Sequence, residues 1–188
     1  VLTLGAVLIA TFTIGCDTKK FADADPMTEQ VTFRDVRLEA AVREALDIRE
    51  SPIYKAELAS LVMLKAMDKG ISDLTGIQYC VNLQVLALTK NNISDISMLG
   101  GLADLRLLYL DENSISDLSP LVGLTSLRLL YLNENNIADV SALVMNSGLS
   151  VGDVVLLQNN PLNLGSLDIS IPQLRERGVR FFTFLCGT

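Results

Sequence analysis

Three kinds of side chain in this sequence have the chemistry to act on a ligand, and each meets an obstacle. Asp111 and Glu112 are adjacent carboxylates of the sort a glycosidase uses. Asp95, Asp117 and Asp139 recur every 22 residues and supply the hard oxygens that calcium prefers. Cysteines stand at Cys16, Cys80 and Cys186. Against these, the 188 residues contain no His, which removes the commonest general base and the commonest metal ligand. A Ser or Cys nucleophile would need a Lys or terminal-amine base, and the sequence supplies no such arrangement. Neither a glycine-rich phosphate loop nor a clustered ligand set is present. One aspartate per 22 residues, always at the same register, is better explained by capping than by calcium. No enzymatic activity, cofactor or metal is expected.

Composition narrows the partners. Apolar residues make up 49% of the chain, enough for one folded unit with a continuous core. The formal charge is −7, and since Val1 to Gly15 carry no charge, the acidic excess falls on the rest. Nucleic acid and anionic lipid surfaces would repel it.

The elements that must position any site follow from a repeat. Written in blocks of 22, the chain gives Leu83 to Asp104, Leu105 to Ser126 and Leu127 to Gly148 as complete units, with Leu61 to Asn82 as a degenerate first unit that has Lys69 where the others have Asn. After Gly148 the motif returns three residues late, since Asn135 and Asn160 are 25 apart. The extra residues are expected as a bulge near Asn146 to Val151. Leu86 and Leu88, Leu108 and Leu110, and Leu130 and Leu132 alternate at strand period, which predicts parallel strands with these leucines inward. Asn91, Asn113, Asn135 and Asn160 follow the strands at tight turns, where an amide can satisfy backbone groups that a curved coil leaves unpaired. The returning limb contributes Ile93, Ile115 and Ile137 and their neighbours to the core, and its Asp95, Asp117 and Asp139 sit where a short helical turn wants a cap. Cys80 falls in the column of Leu102 and Leu124 and is expected as a core residue.

These columns resemble L-x-x-L-x-L-x-x-N-x-I-x-D-I, the motif of bacterial leucine-rich repeats, and the 22-residue period resembles the internalin-like class, over roughly residues 31 to 188. The resemblance implies an α/β solenoid, a leucine-rich-repeat horseshoe with a parallel β-sheet on its concave face, used to recognise a protein. Asp35 to Leu46, with Leu38, Val42, Ala45 and Leu46 on one helical face, looks like the family's N-terminal cap. A second short turn is expected over 53 to 60. Ile171 to Arg177 reads as a helix closed by Gly178, followed by a last strand alternating Val179, Phe181 and Thr183, so the repeat array is expected to be capped at both ends. Repeats stack ~4.8 Å apart, which would separate Cys80 from Cys186 by ~20 Å or more, too far for a disulfide within one chain.

Val1 to Gly15 is too short for a membrane-spanning helix, which needs ~20 residues, but suits the apolar region of a secretory signal, a buried helix being the alternative, and Thr13-Ile14-Gly15-Cys16 resembles the lipobox of bacterial lipoproteins. That resemblance implies acylation of Cys16, although Thr13 stands where the family favours Leu and neither Met nor a basic stretch precedes Val1. The expected organisation is a signal over 1–16, a tether over 17–30, an N-terminal cap over 31–60, about five repeats over 61–165 and a C-terminal cap over 166–188. The protein is expected on the bacterial cell envelope, lipid-anchored through Cys16 or else secreted, and monomeric.

The register assigns the residues that face outward from the strands, and among them the expected partner-binding set is Val85, Leu107, Tyr109, Asp111, Leu129, Tyr131, Asn133, Leu156 and Gln158. An apolar band with paired tyrosines and a polar edge is the composition of a protein-binding patch. The alternatives are that Leu107 and Leu129 only strengthen the sheet, that the tyrosines stack on a glycan, or that the solenoid is a spacer or targeting module of a larger extracellular protein.

Overall fold

The computed structural model describes residues 29–182. The expected signal and lipobox with Cys16, residues 17–28 of the expected tether, Thr183 and Cys186 lie outside the described residues.

Six short strands form one parallel sheet in sequential order: β1 (Met63–Lys65), β2 (Val85–Ala87), β3 (Leu107–Tyr109), β4 (Leu129–Tyr131), β5 (Val154–Leu156) and β6 (Arg180–Phe182). Strict sequential order means that each crossover returns beside the strand it left, which is the winding of a solenoid. The register aligns the expected columns: Leu64, Leu86, Leu108, Leu130, Val155 and Phe181 are paired in turn and point inward. These residues, with Leu88, Leu110, Leu132 and Leu157 just beyond the strands, are buried and form one continuous core with the returning limb.

Each coil is closed by local chemistry. After the strand, Asp68, Lys90, Glu112, Glu134 and Asn159 adopt left-handed backbone with φ between 54 and 60°. That conformation reverses the chain within one residue, at a cost of ~1–2 kcal/mol for a residue with a Cβ. The returning limb then makes one turn of 3₁₀-helix at Ile77–Tyr79, Ser97–Leu99 and Ser119–Leu121. Before these turns Asp73, Asp95 and Asp117 accept the N–H two residues on, at 2.7 to 2.8 Å. Asp139 does the same for Ser141, ahead of the helix of the fourth coil. The aspartate column is therefore spent on turn initiation, although Asp95, Asp117 and Asp139 stand one residue before the N-cap positions Ile96, Leu118 and Val140 rather than at them.

The asparagine ladder ties each coil to the one before. Asn91 accepts the N–H of Ile71 at 2.9 Å and donates to the carbonyls of Ala66 and Leu88, both at 2.8 Å. Asn113, Asn135 and Asn160 repeat the pattern, accepting from Ile93, Ile115 and Ile137 and donating to Leu88, Leu110 and Leu132 of the preceding coil. Every amide thus consumes at least one orphan N–H, two in the case of Asn91, and at least two carbonyls that the curved backbone would strand.

The three extra residues of the fourth coil are accommodated on the outer side. There a short helix, α3 (Ser141–Met145), replaces the 3₁₀ turn. Asn146, fully buried, donates to the carbonyls of Leu121 at 2.7 Å and Leu124 at 3.1 Å. Gly148 passes so close to the preceding coil that a Cβ there would stand 2.0 Å from the carbonyl oxygen of Thr125. Arg177 closes the bulge from outside by donating to the carbonyls of Val144, Asn146 and Leu149 at 2.6 to 2.7 Å.

At the N-terminal end, α1 (Val36–Leu46) covers β1 and is followed by α2 (Lys55–Ala59). Asp35 caps α1 by accepting from Arg37 at 2.8 Å, and its second oxygen accepts the N–H of Ser72, so one carboxylate fastens the cap to the first coil. Burial disfavours its ionised form, but the N–H bonds from Ser72 and Arg37 outweigh burial and hold its pKa below the usual carboxylate value. The ring of Phe33 lies over Gly76, at a φ of 109° where only glycine is at ease. One detail differs from the expected helical face: Ala45 is exposed and Ala41 is buried instead, because the helix meets the solenoid along Leu38, Ala41 and Val42. At the other end a π-helical segment, Ser166–Ser170, runs straight into α4 (Ile171–Glu176), and Gly178 at φ 85° turns the chain into β6.

Candidate binding face

Outward positions on the sheet form columns because parallel pairing puts equivalent residues side by side. The first column runs Met63, Val85, Leu107, Leu129, Val154 and Arg180; the second runs Lys65, Ala87, Tyr109, Tyr131, Leu156 and Phe182. Inward neighbours of these residues are buried, completely so from Leu64 to Val155, whereas Val85, Leu107, Leu129, Tyr109, Tyr131, Val154 and Leu156 are only half-buried. They are covered by each other rather than by a second layer. Ala87 is the exception at 6% exposed, since its single methyl sits between larger neighbours.

The tyrosine pair expected from the register is present. The rings of Tyr109 and Tyr131 lie 4.9 Å apart, tilted by 33°. Offset rings at such separations attract, and strand spacing alone would hold them there. Beyond them the column continues through Leu156 to Phe182, which is 46% exposed. Arg180 and Phe182 were missed as face residues by sequence reasoning. The alternation of Val179 and Phe181 carried the signal, because the residues between inward ones must point out. At the opposite end of the face a shallow apolar depression is lined by Met63, Met67, Val85, Ala87, Leu107 and Tyr109, with Lys65 at its side. Methionine is well suited to such a surface because its flexible thioether adapts to different shapes.

The third column, Met67, Thr89, Asp111, Asn133 and Gln158, is not the open polar edge that its residue types suggest. Asp111 accepts the backbone N–H of Asn133 at 2.8 Å, and Asn133 accepts the backbone N–H of Gln158 at 2.8 Å. A second lateral ladder therefore runs along this margin of the sheet, and one oxygen of Asp111 and the amide oxygen of Asn133 are already occupied. Burial raises the pKa of Asp111; the bonds from Asn133 oppose that rise, and the neighbouring charges of Glu112 and Glu134 reinforce it. Glu112 is paired with Lys90 at 3.6 Å, while Glu134 is exposed in the adjacent turn.

Cys80 is fully buried in the leucine column, and burial pushes its thiol up to about 12, so the thiolate needed for nucleophilic attack is withheld. The Asp111 and Glu112 pair is engaged as described, one member in the ladder and the other with Lys90. No helix among the described residues is long and apolar enough to cross a membrane.

A leucine-rich-repeat family model matches residues 81–137. No curated protein matches the chain by sequence. Among solved structures, an internalin, inlF, from Listeria monocytogenes is similar at a TM-score of 0.58 and 26% identity, over 81% of this chain and 56% of that one. Internalin C2 from the same organism aligns at a TM-score of 0.47 and 23% identity, over 82% of this chain and 98% of that one. The functional domain of InlJ, also from L. monocytogenes, aligns at 0.43 and 19% identity, over 73% and 40%. The chain thus spans little more than half the length of the inlF structure. It is a leucine-rich-repeat solenoid with an internalin-like fold.

Proposed function

We propose that this chain is a recognition module that binds a protein through the concave sheet and is displayed on a bacterial cell envelope by a lipid on Cys16. The observation that carries the binding part is the half-exposed Tyr109 and Tyr131 pair, 4.9 Å apart, within a column that runs on through Leu156 to Phe182. Leu107, Leu129 and Val85 flank it. Aromatic anchors surrounded by aliphatic residues, on a rigid scaffold that loses no backbone entropy on binding, are the composition of an interface hot spot. The fold similarity to an internalin supports the same reading. Asp111 and Asn133 contribute to it as spacers of the ladder, and Gln158 as part of the polar rim. Anchoring rests on the lipobox-like Thr13 to Cys16 alone; Cys16→Ser should leave the protein unacylated and released from the membrane fraction, and an unmodified soluble protein from the unaltered sequence would overturn it.

The binding reading is tested by capturing partners with the protein and with the Tyr109→Ala/Tyr131→Ala double variant. Because both rings project from the sheet, the variant should melt within ~1 kcal/mol of the parent while losing at least ~2 kcal/mol of affinity for any specifically captured protein. Capture of the same proteins with undiminished affinity by the folded double variant would remove the concave face from consideration.

A further inference from the structure

We infer that the partner presents a single amphipathic α-helix, about four turns long, which lies across the strands with acidic residues along one flank and basic residues along the other. The inference deepens the concave-face reading and rests on it. Three properties of the face lead there.

The first is the charge on its two margins. At the start of the strands stand Arg106 and Arg128, in equivalent positions of adjacent coils, with Arg180 two strands beyond Arg128 in the first column. Arg128 shares its charge with Asp153 at 3.6 Å yet keeps 54% of its side chain exposed, and among the described residues Arg106 has no ion-pair partner within 4 Å. At the end of the strands stand Asp111, Glu112 and Glu134, with Lys90 paired to Glu112 and the exposed Lys65 toward the β1 end of the face. Five residues of extended chain separate the margins, about 16 Å. That exceeds the Debye length of about 8 Å at physiological salt, so each margin selects its own counter-charge.

The second is size. An α-helix with its side chains is about 10–12 Å across, which fits between the margins, and six strands spaced about 4.8 Å apart offer a track of about 24 Å, or about 16 residues of helix. The third is hydrogen bonding. The face presents side chains, and its strands have already spent their backbone groups on each other. An extended peptide laid on it would leave its own N–H and C=O groups against leucine and tyrosine, whereas a helix satisfies them internally.

The experiment uses the full chain and three labelled helical peptides of 18 residues, read by fluorescence anisotropy. All three carry one Leu/Phe stripe; the flanks are Lys on one side and Glu on the other, Lys on both, or Glu on both. The Lys/Glu peptide should bind at least about fivefold tighter than either single-charge peptide, with the preference shrinking as salt is raised. Arg106→Glu/Arg180→Glu should transfer the preference to the Lys/Lys peptide. Glu134→Lys, which copies Lys90 two positions up the same column, should move it toward Glu/Glu. Circular dichroism confirms that each variant is folded. Equal affinities, a preference of the unaltered chain for Lys/Lys through its net charge alone, or no saturable binding would each overturn the inference. Tyr109→Ala/Tyr131→Ala separates the two levels. If that variant keeps the full Lys/Glu preference, binding is elsewhere and the concave-face reading falls with the inference. If it loses all three peptides and they were never discriminated, the face binds and only the two-edged helix is wrong.

Discussion

Asp111 and Asn133 occupy equivalent positions in neighbouring coils, and each uses a side-chain oxygen to accept the backbone N–H of its counterpart in the next coil. The carbonyl of an amide performs this task as well as a carboxylate does, so the charge on Asp111 is not needed for the bond. Its burial makes that charge a cost.

Asp111→Asn should therefore stabilise the protein. A carboxyl whose pKa is raised on folding contributes stability below its unfolded pKa and loses it as pH rises through the folded value. At pH 7 the substitution should raise stability, by an amount kept small because the group is partly solvated. Below pH ~3.8 both side chains are neutral and the gain should vanish. Thermal melts at pH 7 and pH 3.5 check this; a destabilised variant at pH 7 would mean that the carboxylate is held by a contact an amide cannot make.

Removing a rung of the main ladder should be costly. Asn135→Ala strands the N–H of Ile115 and the carbonyls of Leu110 and Leu132 in the core, and should cost ~1–3 kcal/mol in denaturant unfolding. Asn160→Ala leaves the equivalent groups nearer the end of the array and should cost less. Losses of a few tenths at both positions would mean that water takes over the amide's role.

Two glycines separate conformational from steric need. Gly148→Ala would drive a Cβ into the Thr125 carbonyl, with no flexible neighbour to yield, and should cost at least ~2–3 kcal/mol. Gly101→Ala meets nothing within 4 Å and should be neutral or stabilising by ~0.4–1 kcal/mol. Similar melting temperatures for the two variants would show that the fourth coil can shift its bulge.

Arg177 holds three carbonyls of that bulge from the C-terminal cap. Arg177→Ala should lower stability by ~1–3 kcal/mol and raise amide exchange at 146–151 ahead of the rest of the solenoid. Uniform exchange across the chain would place the clamp's contribution elsewhere.

The repeat made the sheet, its register and the asparagine ladder legible in advance, because 22-residue spacing converts directly into side-by-side columns. Tyr109 and Tyr131 were placed on one surface by that arithmetic alone. Where the spacing lapses, the reading thinned. Arg180 lies 26 residues after Val154, beyond a helical cap, so its membership of the face had no column to announce it. Asn146 and Arg177 act across the bulge, outside the repeat, and nothing in their spacing links them. Register gave the direction in which Asp111 and Asn133 point but not their bonding, since the acceptor role depends on the height of the next coil's N–H. Ala41 and Ala45 differ by one helical turn, and the choice between them was made by the angle at which α1 meets β1.

The replacement of a one-turn 3₁₀ segment by α3 in the fourth coil bears on shape. A stack of coils stays straight only while its inner and outer layers are equally thick; strand spacing fixes the inner layer at ~4.8 Å, so any bulkier outer segment fans neighbouring coils apart like the back of a half-opened book. A thicker outer layer in that coil would concentrate bending between β4 and β5, the junction at which Tyr131 and Leu156 are paired, so a convex object pressed into the arc would meet those two side chains first.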